Sequence, residues 1–186
     1  MYVITGVPGV GKTTLSRMLA ELTGGVHVDL SELAERRGII SGYDESRGTS
    51  IVDLELMRKE LAVLLEGGEG PLILDGHFAP EVVLPGAVSL ALVLRRAPWI
   101  LRGELAARGF PEEKVRENVE AELLDVCLVD AIDSLGRERV CEVDTTGKTP
   151  GEVLDEAVSI IQGGRPCRRG LVDWLGRDES RGLLGA

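Results

Sequence analysis

Residues 6 to 13 have the types and the spacing of a phosphate-binding loop. They read Gly-Val-Pro-Gly-Val-Gly-Lys-Thr, which fits the pattern GxxxxGK[ST], and an amphipathic helical pattern follows them. Glycines allow successive backbone N–H groups to turn inward around an anion, and the N-terminus of the following helix adds about half a positive charge. The pattern therefore predicts a nucleoside triphosphate site. Its predicted binding residues are Gly9, Val10, Gly11, Lys12, Thr13 and Thr14.

Three side chains of this segment have separate predicted roles. We expect Lys12 to reach the β- and γ-phosphates and to act there as a catalytic cation. The hydroxyl of Thr13 is expected to bind Mg²⁺, and the hydroxyl of Thr14 can donate to the α-phosphate. The loop can thus bind a triphosphate locally, whatever the net charge of the whole chain.

A second group of candidate residues follows the apolar segment 72–74. A carboxylate at the end of a buried strand lies beside the phosphate loop and can hold Mg²⁺ through water, which predicts a metal-side and catalytic role for Asp75. If the chain stays extended, His77 projects from the same side as Asp75. His77 could then orient a phosphoryl acceptor or a water molecule, or it could only hydrogen-bond the loop. His27 has no such neighbour in the sequence, and we interpret it as structural.

Two other classes of phosphate-binding protein are disfavoured by their missing motifs. A regulatory GTPase reads guanine through an NKxD motif, but the chain has a single Asn, Asn118, which is followed by Val119. A Rossmann dinucleotide site uses GxGxxG, whereas this loop is GxxxxGKT. The loop therefore indicates a nucleotide enzyme of another type.

Composition indicates a soluble globular protein that has little general affinity for polyanions. The chain has 186 residues, of which 44% are hydrophobic and 28% charged, and its formal net charge is −10. A chain of this length buries about 70% of its extended surface, and it contains no apolar run of the roughly 20 residues that a membrane span needs. The negative charge and the low aromatic content of 3% argue against strong direct binding to nucleic acids, and the negative charge also argues against binding to anionic membranes.

The cysteines and the N-terminus favour a cytoplasmic protein. Cys127, Cys141 and Cys167 are odd in number and far apart, so we interpret them as reduced structural thiols. Residues 1–5 contain no basic segment and no long apolar segment, so they do not resemble a signal peptide.

Hydrophobic periodicity predicts a three-layer α/β domain. Short apolar segments predict buried strands at residues 2–5, 26–28, 72–74, 89–94 and 140–143. Longer segments with helical spacing lie between and after them, around residues 15–22, 54–64, 115–126 and 153–161. Alternating strands and helices imply parallel strands with helices on both faces of the sheet.

Glycine-rich breaks suggest the domain organisation. Gly163 and Gly164 separate a domain of residues 1–164 from a tail of residues 165–186, which has five Arg against three acidic residues. We expect this tail to pack loosely, or to dock on a partner, through Trp174. Near the N-terminus, Ser31 is predicted to cap a short helix that ends at Arg37, and a glycine-containing loop is predicted at 38–48.

Several segments resemble one small kinase family. They are GVPGVGKTT near the N-terminus, SGYDESRG at 41–48, LILDGHFA at 72–79, VLRR at 93–96, RGFPEEKVRENVEAELLD at 108–125, EVDTTGKTP at 142–150 and VDWL at 172–175. They resemble the archaeal form of the adenylate kinase isoenzyme six family, whose eukaryotic members are also described as coilin-interacting nuclear ATPases and small-subunit assembly factors. The resemblance runs in order from residue 2 to about residue 175.

The resemblance implies a nucleoside monophosphate kinase fold with a five-stranded parallel sheet, an acceptor-binding region and a lid. The family transfers phosphate reversibly between ATP and AMP with Mg²⁺, hydrolyses ATP, and is implicated in late maturation of the small ribosomal subunit through the platform protein S eleven. Its ATP-contacting loop matches the P-loop residues named above. Asp75 and His77 match the pair on which its mechanism relies.

By the same resemblance, the acceptor region covers residues 29 to about 52. Its arginines Arg36, Arg37 and Arg47 are available as phosphate clamps, although each could equally be a solvated surface residue. Lys148 matches a position that contacts adenine, in a loop at the end of the last strand, where a base is expected to lie.

The lid, at about residues 103–113, departs from the family pattern. Glu104 occupies the position of an arginine that often contacts ATP in the family. A carboxylate there would repel a triphosphate, so either Arg102 or Arg108 substitutes for the missing arginine, or the charge stabilisation is weaker in this chain.

Three functional hypotheses remain open at this stage. The first is an Mg²⁺-dependent phosphotransferase that acts on ATP and AMP. The second is an ATP-driven ribosome assembly factor with vestigial kinase activity, whose acidic surface would attract a basic ribosomal protein. The third is a small-metabolite kinase that shares the phosphate loop and the sheet.

Overall fold

A computed structural model describes residues 1–44, 49–67 and 70–183, and its strands form two sheets. The strands are β1 (Tyr2–Thr5), β2 (Val26–Asp29), β3 (Ile40–Asp44), β4 (Thr49–Val52), β5 (Leu72–Asp75), β6 (Leu90–Arg95) and β7 (Val140–Asp144). The main sheet is five-stranded and parallel, in the order β2-β5-β1-β6-β7. All five strands predicted from the apolar segments are confirmed, with ends within one residue of those expected.

Helices cover both faces of the main sheet, so the predicted three layers are confirmed. The helices are α1 (Lys12–Thr23), α2 (Leu30–Arg37), α3 (Leu54–Gly67), α4 (Ala79–Val82), α5 (Pro98–Ala107), α6 (Glu112–Leu123), α7 (Val126–Leu135) and α8 (Pro150–Ile161). One core cluster contains side chains of α2, α3, α4 and α7, and the other contains side chains of α1, α5, α6 and α8. Alternate residues of the strands face the two clusters, which explains why the strands read as continuous apolar segments. Within the described residues, no helix has the length and apolar character needed to cross a bilayer.

Two local predictions near the N-terminal helices are wrong. The side chain of Asp29, not that of Ser31, caps α2, because its Oδ1 accepts hydrogen bonds from the backbone N–H groups of Ser31 and Glu32. The chain after α2 is not only a loop: residues of β3 pair in antiparallel fashion with β4. This two-stranded sheet lies outside the main sheet and lines a cavity described below.

The helix predicted around residues 115–126 is in fact two helices. α6 ends at Leu123 and α7 begins at Val126, and Asp125 between them has a φ of 58°. The carboxylate of Asp125 forms a short ion pair with Arg95 at the end of β6. A tertiary contact thus stabilises a left-handed conformation that the local sequence does not favour.

Residues 165–183 pack against the domain, contrary to the loose packing expected of the tail. Trp174 is only 6% exposed and lies in a small core with Ala97 and Leu123. Its Nε1 donates to Oε1 of Glu122 at 2.9 Å, and its ring meets the ring of Trp99 edge-on at 5.5 Å. Trp174 is therefore not available to a partner in this arrangement, while the division of the chain at residue 164 stays a prediction.

The tail is also joined covalently to the sheet. Cys141 of β7 and Cys167 form a disulfide, so the prediction of three reduced thiols is wrong, and it no longer supports a cytosolic location. Cys127 is a free cysteine, and burial raises the pKa of its thiol to about 11, which keeps it protonated at neutral pH. No local sequence pattern indicates the pairing, since 26 residues separate the two bonded cysteines.

Loss of this disulfide is expected to destabilise the protein. A Cys141→Ala/Cys167→Ala variant should lower the free energy of unfolding by about 3 kcal/mol, because a cross-link that closes a loop of this length restricts the unfolded chain. Urea unfolding of the variant and of the wild type measures the difference. Peptide mass mapping without reductant provides the control, and detection of three alkylated thiols in the native protein would contradict the prediction.

Candidate active site

The phosphate loop connects β1 to α1 and has the backbone geometry that an anion nest requires. Gly6 has a φ of 135°, and a Cβ at this position would lie 2.6 Å from the carbonyl oxygen of Leu94, so a side chain does not fit. Gly11 is left-handed, with a φ of 99°, and directly precedes α1. Both conformations are easy only for glycine, which explains the spacing of these glycines in the sequence.

Lys12 lies across the loop to which it belongs. Its Nζ donates to the carbonyl oxygen of Val7 at 3.0 Å. Desolvation lowers the pKa of Lys12, while the negative charges of Asp75 and Asp29 oppose this shift. These electrostatic interactions indicate that the ammonium group lies near the carboxylates at the ends of β5 and β2.

Asp75 is held beside the loop by the pairing of β5 with β1. Asp75 is the register neighbour of Ile4, and the backbone N–H of Gly76 donates to the carbonyl oxygen of Ile4 at 3.2 Å. The residue is 2% exposed, so its carboxylate is buried at the carboxyl end of the sheet. Such a group needs hydrogen bonds or a cation to offset its desolvation.

His27 provides one of these contacts, contrary to our interpretation of it as a residue without a functional neighbour. Its Nε2 lies 2.7 Å from Oδ2 of Asp75. The contact arises because β2 pairs with β5 in parallel, with His27 opposite Ile73 and Asp29 opposite Asp75, so His27 and Asp75 share one face of the sheet. Sequence periodicity predicted both strands, but it carries no signal for which strands are adjacent or in which register they pair.

The prediction for His77 assumed that the chain stays extended as far as residue 77. This assumption is wrong, because β5 ends at Asp75. The backbone N–H of Ala79 donates to the carbonyl oxygen of Gly76, which closes a turn. The carbonyl oxygen of His77 accepts a hydrogen bond from Oγ1 of Thr5 at 3.3 Å. The side chain of His77 lines a cavity whose lining does not include Asp75.

The electrostatic environment favours the neutral form of His77. Desolvation and the positive charges of Lys12 and Lys114 lower the pKa of His77, so its ring is mostly neutral at pH 7. A neutral imidazole can donate one hydrogen bond and accept another. His77 is thus chemically able to orient a polar group in its cavity, and its role stays a prediction.

One cavity, which we call the loop cavity, is lined both by residues of the phosphate loop and by Lys148, the residue predicted to contact adenine. It has a volume of about 240 Å³. Its lining includes Gly9, Val10, Gly11, Thr14, Arg96, Glu104, Arg108, Thr145 and Lys148. The structure therefore places Gly9, Val10, Gly11 and Thr14 in one cavity with Lys148, and the roles of these residues stay predictions. The Nζ of Lys148 pairs with Oε2 of Glu156 at 2.7 Å, and Glu156 also accepts a contact from Arg165 of the tail.

The lid residues divide between two places. Arg108 and Glu104 line the loop cavity, whereas Arg102 lines a different cavity with Glu112, Glu113 and Arg116. Arg102 is thus not brought to the phosphate loop. Sequence reasoning did not select Arg96 as a site residue, although it lies in the loop cavity and pairs with Glu104.

A second cavity, which we call the acceptor cavity, is lined by other elements than the loop cavity. Its volume is about 510 Å³, and it lies between α2, the β3–β4 sheet and the turn after β5. Its lining includes Ser31, Glu35, Tyr43, Ser50, Val52, His77 and Phe78. The region predicted to bind an acceptor therefore contains a cavity with His77 on its wall.

The arginines predicted as acceptor clamps do not line this cavity in the described residues. Arg37 pairs with Glu60 at 2.9 Å, and exposed Arg36 lies 4.0 Å from Glu32. Arg47 lies outside the described residues. For Arg36 and Arg37 the geometry fits surface ion pairs, and their role as clamps stays a prediction.

The donor groups near the loop suit Mg²⁺ bound together with phosphates. No set of three or more His, Cys, Asp or Glu side chains that could hold a metal occurs in residues 1–44, 49–67 and 70–183. Mg²⁺ rarely needs such a cage, because it usually takes one or two protein oxygens and completes its shell with water and phosphate. The buried carboxylate of Asp75 and the hydroxyl of Thr13, at the start of α1, are hard oxygen donors of this kind.

Comparison with known proteins supports a kinase. Residues 3–125 match the family model described as "AAA domain". A protein of Methanothermobacter thermautotrophicus named "Putative adenylate kinase" is 45% identical over 176 residues, which is 95% of this chain and 98% of that protein. A Pyrococcus furiosus protein of the same name is 44% identical over 174 residues, which is 92% of this chain and 89% of that protein.

Solved structures with low sequence identity support the same fold. A gluconokinase from Sinorhizobium meliloti 1021 superposes with a TM-score of 0.57 at 18% identity, over 87% of this chain and 91% of the kinase. A shikimate kinase from Aquifex aeolicus gives a TM-score of 0.51 at 18% identity, over 88% and 98%. These similarities concern the fold alone, which is the P-loop NTPase fold with a five-stranded parallel sheet.

Proposed function

The chain belongs to the AAA domain family and to the group of archaeal proteins named "Putative adenylate kinase". From this premise we propose that it transfers the γ-phosphoryl group of ATP to AMP. The observation that carries the proposal is the pair of cavities at the carboxyl end of the sheet. The loop cavity contains the phosphate-loop glycines and Lys148, and the acceptor cavity contains His77. Lys12 interacts electrostatically with both Asp75 and His77.

In this proposal, ATP occupies the loop cavity and AMP the acceptor cavity. A phosphate oxygen of AMP attacks the γ-phosphorus of ATP, the bond between that phosphorus and the β,γ-bridging oxygen breaks, and both nucleotides leave as ADP. The loop N–H groups and Lys12 stabilise the charge that develops on the transferred group and on the leaving oxygen. Mg²⁺, when held by Thr13 and Asp75, would supply further neutralisation of the β- and γ-phosphates.

His77 has a positioning role in this scheme. Its ring lies on the wall of the acceptor cavity and is mostly neutral, so it can hydrogen-bond the phosphate or ribose of AMP. The carboxylate of Asp75 instead contacts Nε2 of His27, and Asp75 is not among the residues that line the acceptor cavity. The two residues thus act on different parts of the reaction.

A coupled assay of ADP formation tests the proposed function. ATP alone is compared with ATP plus AMP, and then with ATP plus each of the other nucleoside monophosphates. We expect AMP to raise ADP formation well above the rate with ATP alone, and two ADP to form for each AMP consumed. If no monophosphate is consumed, the adenylate kinase proposal is incorrect.

The contact between His27 and Asp75 leads to a prediction about the metal requirement. His27→Ala is expected to raise the Mg²⁺ concentration for half-maximal rate by about tenfold or more, because loss of a group that orients a metal-binding carboxylate typically has this effect. Titration of the rate with Mg²⁺ and electron paramagnetic resonance of bound Mn²⁺–ATP measure the change.

Two controls separate this effect from a loss of folding. His27→Asn, which keeps an N–H donor, should recover part of the metal affinity, and the melting temperature of both variants should be recorded. An unchanged Mg²⁺ requirement in folded His27→Ala would show that His27 does not orient Asp75.

ATP hydrolysis and a role in assembly of the small ribosomal subunit form a second proposal for the same site. The net charge of −10 supports it, because an acidic protein associates rapidly with a basic ribosomal partner. Incubation with small-subunit proteins at low salt should recover a basic platform protein, such as S eleven, and raised salt should release it. Recovery of no basic protein at low salt would count against this second proposal.

A further inference from the structure

Arg96 is a charged side chain that the proposed reaction does not yet use, although it lies in the loop cavity. It directly follows β6 and lines the cavity together with the loop glycines and Lys148. Its side chain is 19% exposed, so part of its surface is accessible from the cavity. An arginine in this place raises the question of which part of a nucleotide it would contact.

The edges of the Arg96 guanidinium are already bound by protein. Nε donates to Oε2 of Glu104 at 2.7 Å, and Nη2 forms a short contact with Oε1 of the same carboxylate. Nη1 donates to the carbonyl oxygen of Thr145 at 3.0 Å. Two edges of the planar group are thus occupied by a carboxylate and by a backbone carbonyl, so a nucleotide cannot use the same N–H donors while these contacts persist.

The position of this group is fixed by neighbouring backbone contacts. The backbone N–H of Arg96 donates to the buried carboxylate of Glu122 at 3.2 Å. The loop after β7 is attached to the end of β6, because the N–H of Thr145 donates to the carbonyl oxygen of Arg95, and the N–H of Ala97 donates to Oγ1 of Thr146. The guanidinium is therefore held against the loop that also carries Lys148.

From this geometry we propose that Arg96 binds the adenine of ATP by stacking a face of its guanidinium on the base, and that Glu104 is the residue that positions it. The inference rests on the proposed function. A guanidinium whose charge is neutralised by a bidentate carboxylate is a poor clamp for phosphate, but its face still stacks well on a planar aromatic ring. The carboxylate of Glu104 is then bound to a cation of the protein, and it does not face the triphosphate as an unpaired charge.

Competition binding separates base recognition from phosphate recognition. A fluorescent ATP labelled on the ribose is bound to the full-length protein and displaced by ATP, by adenosine or by inorganic tripolyphosphate. In Arg96→Met, we expect the affinities for ATP and adenosine to fall by a similar factor of about tenfold. The affinity for tripolyphosphate should stay within about twofold of the wild type.

Arg96→Lys keeps the positive charge and can still pair with Glu104, but it lacks a planar face. It should remain folded and should lose affinity for adenosine almost as much as Arg96→Met. If Arg96→Lys binds adenosine as the wild type does, or if Arg96→Met loses tripolyphosphate affinity and keeps adenosine affinity, the stacking proposal is overturned. Arg181→Met, which removes an exposed arginine paired with Asp178, is the matched control.

Glu104→Gln tests the positioning role. It keeps the shape of the side chain and one acceptor oxygen but removes the negative charge that holds the Arg96 guanidinium. Adenosine affinity should therefore fall by a smaller factor than in Arg96→Met. In the Arg96→Met background, Glu104→Gln should have no further effect on adenosine affinity; independent, additive losses would contradict the role. Failure of the proposed function itself is distinct, since the wild type would then consume no monophosphate in the coupled assay, whatever the adenosine affinities of the variants.

Discussion

Replacement of Lys12 by Ala is expected to lower the rate of ADP formation by roughly 10²- to 10³-fold, which is the usual cost of removing one preorganised donor to a developing charge. The ammonium group of Lys12 lies over the phosphate loop, with its Nζ 3.0 Å from the carbonyl oxygen of Val7. Lys148, which lines the loop cavity, is paired with Glu156 and does not replace Lys12. The loss should therefore appear mainly in kcat.

The measurement is single-turnover transfer from ATP to AMP, together with the affinity for ATP. Burial disfavours the charged form of Lys12, as the direction of its pKa shift shows, so its removal should not destabilise the fold. Lys59→Ala, at an exposed position of α3, is the matched control and should leave the rate unchanged. A folded Lys12→Ala protein that keeps more than about a tenth of the wild-type rate would be incompatible with the proposed mechanism.

Replacement of Arg95 by Met is expected to lower the free energy of unfolding by about 3 to 5 kcal/mol, because it leaves buried carboxylates without their partner. The Arg95 side chain is almost fully buried and contacts Glu122 at 2.8 Å and Glu142 at 2.5 Å. Burial by itself would lower the pKa of Arg95, but the negative charges of Glu122 and Asp125 outweigh this effect and raise it. The guanidinium therefore stays charged in the core.

The same carboxylates hold the tail, so the variant should also loosen residues 165–183. Glu122 accepts from the indole N–H of Trp174, and Glu142 accepts from the backbone N–H of Leu171 at 2.9 Å. Urea unfolding measures the stability, and limited proteolysis of the folded protein reports release of the tail. Arg181→Met, at an exposed ion pair, should change the stability little. A loss below about 1 kcal/mol in Arg95→Met would indicate that the buried network does not stabilise the fold.

Several parts of the candidate site were predictable because local sequence specifies them. The spacing of the glycines, Lys12 and Thr13 predicted the phosphate loop, and an apolar segment that ends in an acid predicted the position of Asp75. Both motifs depend on residues within about ten positions of one another. Lys148 was reached only through the family resemblance, and the structure places it in the same cavity as the loop.

The contacts that join distant segments were not predictable from those patterns. The partner of His27 is 48 residues away in the sequence, and the partners of Arg95 are 27, 30 and 47 residues away. Periodicity shows that a strand is buried, but it is silent on the order and register of parallel strands, because long crossovers connect them. The pairing of Glu104 with Arg96 was missed although the two residues are only 8 positions apart, because it depends on the angle at which the chain passes from β6 into α5, and the carboxylate was interpreted as a repulsive charge.

Short-range spacing and burial thus determined the α/β class, the five strands and the phosphate loop of this protein, since each depends on interactions between residues close in sequence. The tertiary structure decided which charged groups have a partner: Asp75 contacts His27, Glu104 pairs with Arg96, and the buried acids of the core pair with Arg95. The physical reason is that a charge in a poorly solvated place is stable only beside a partner, and the chain path, not the local sequence, brings that partner within hydrogen-bonding distance.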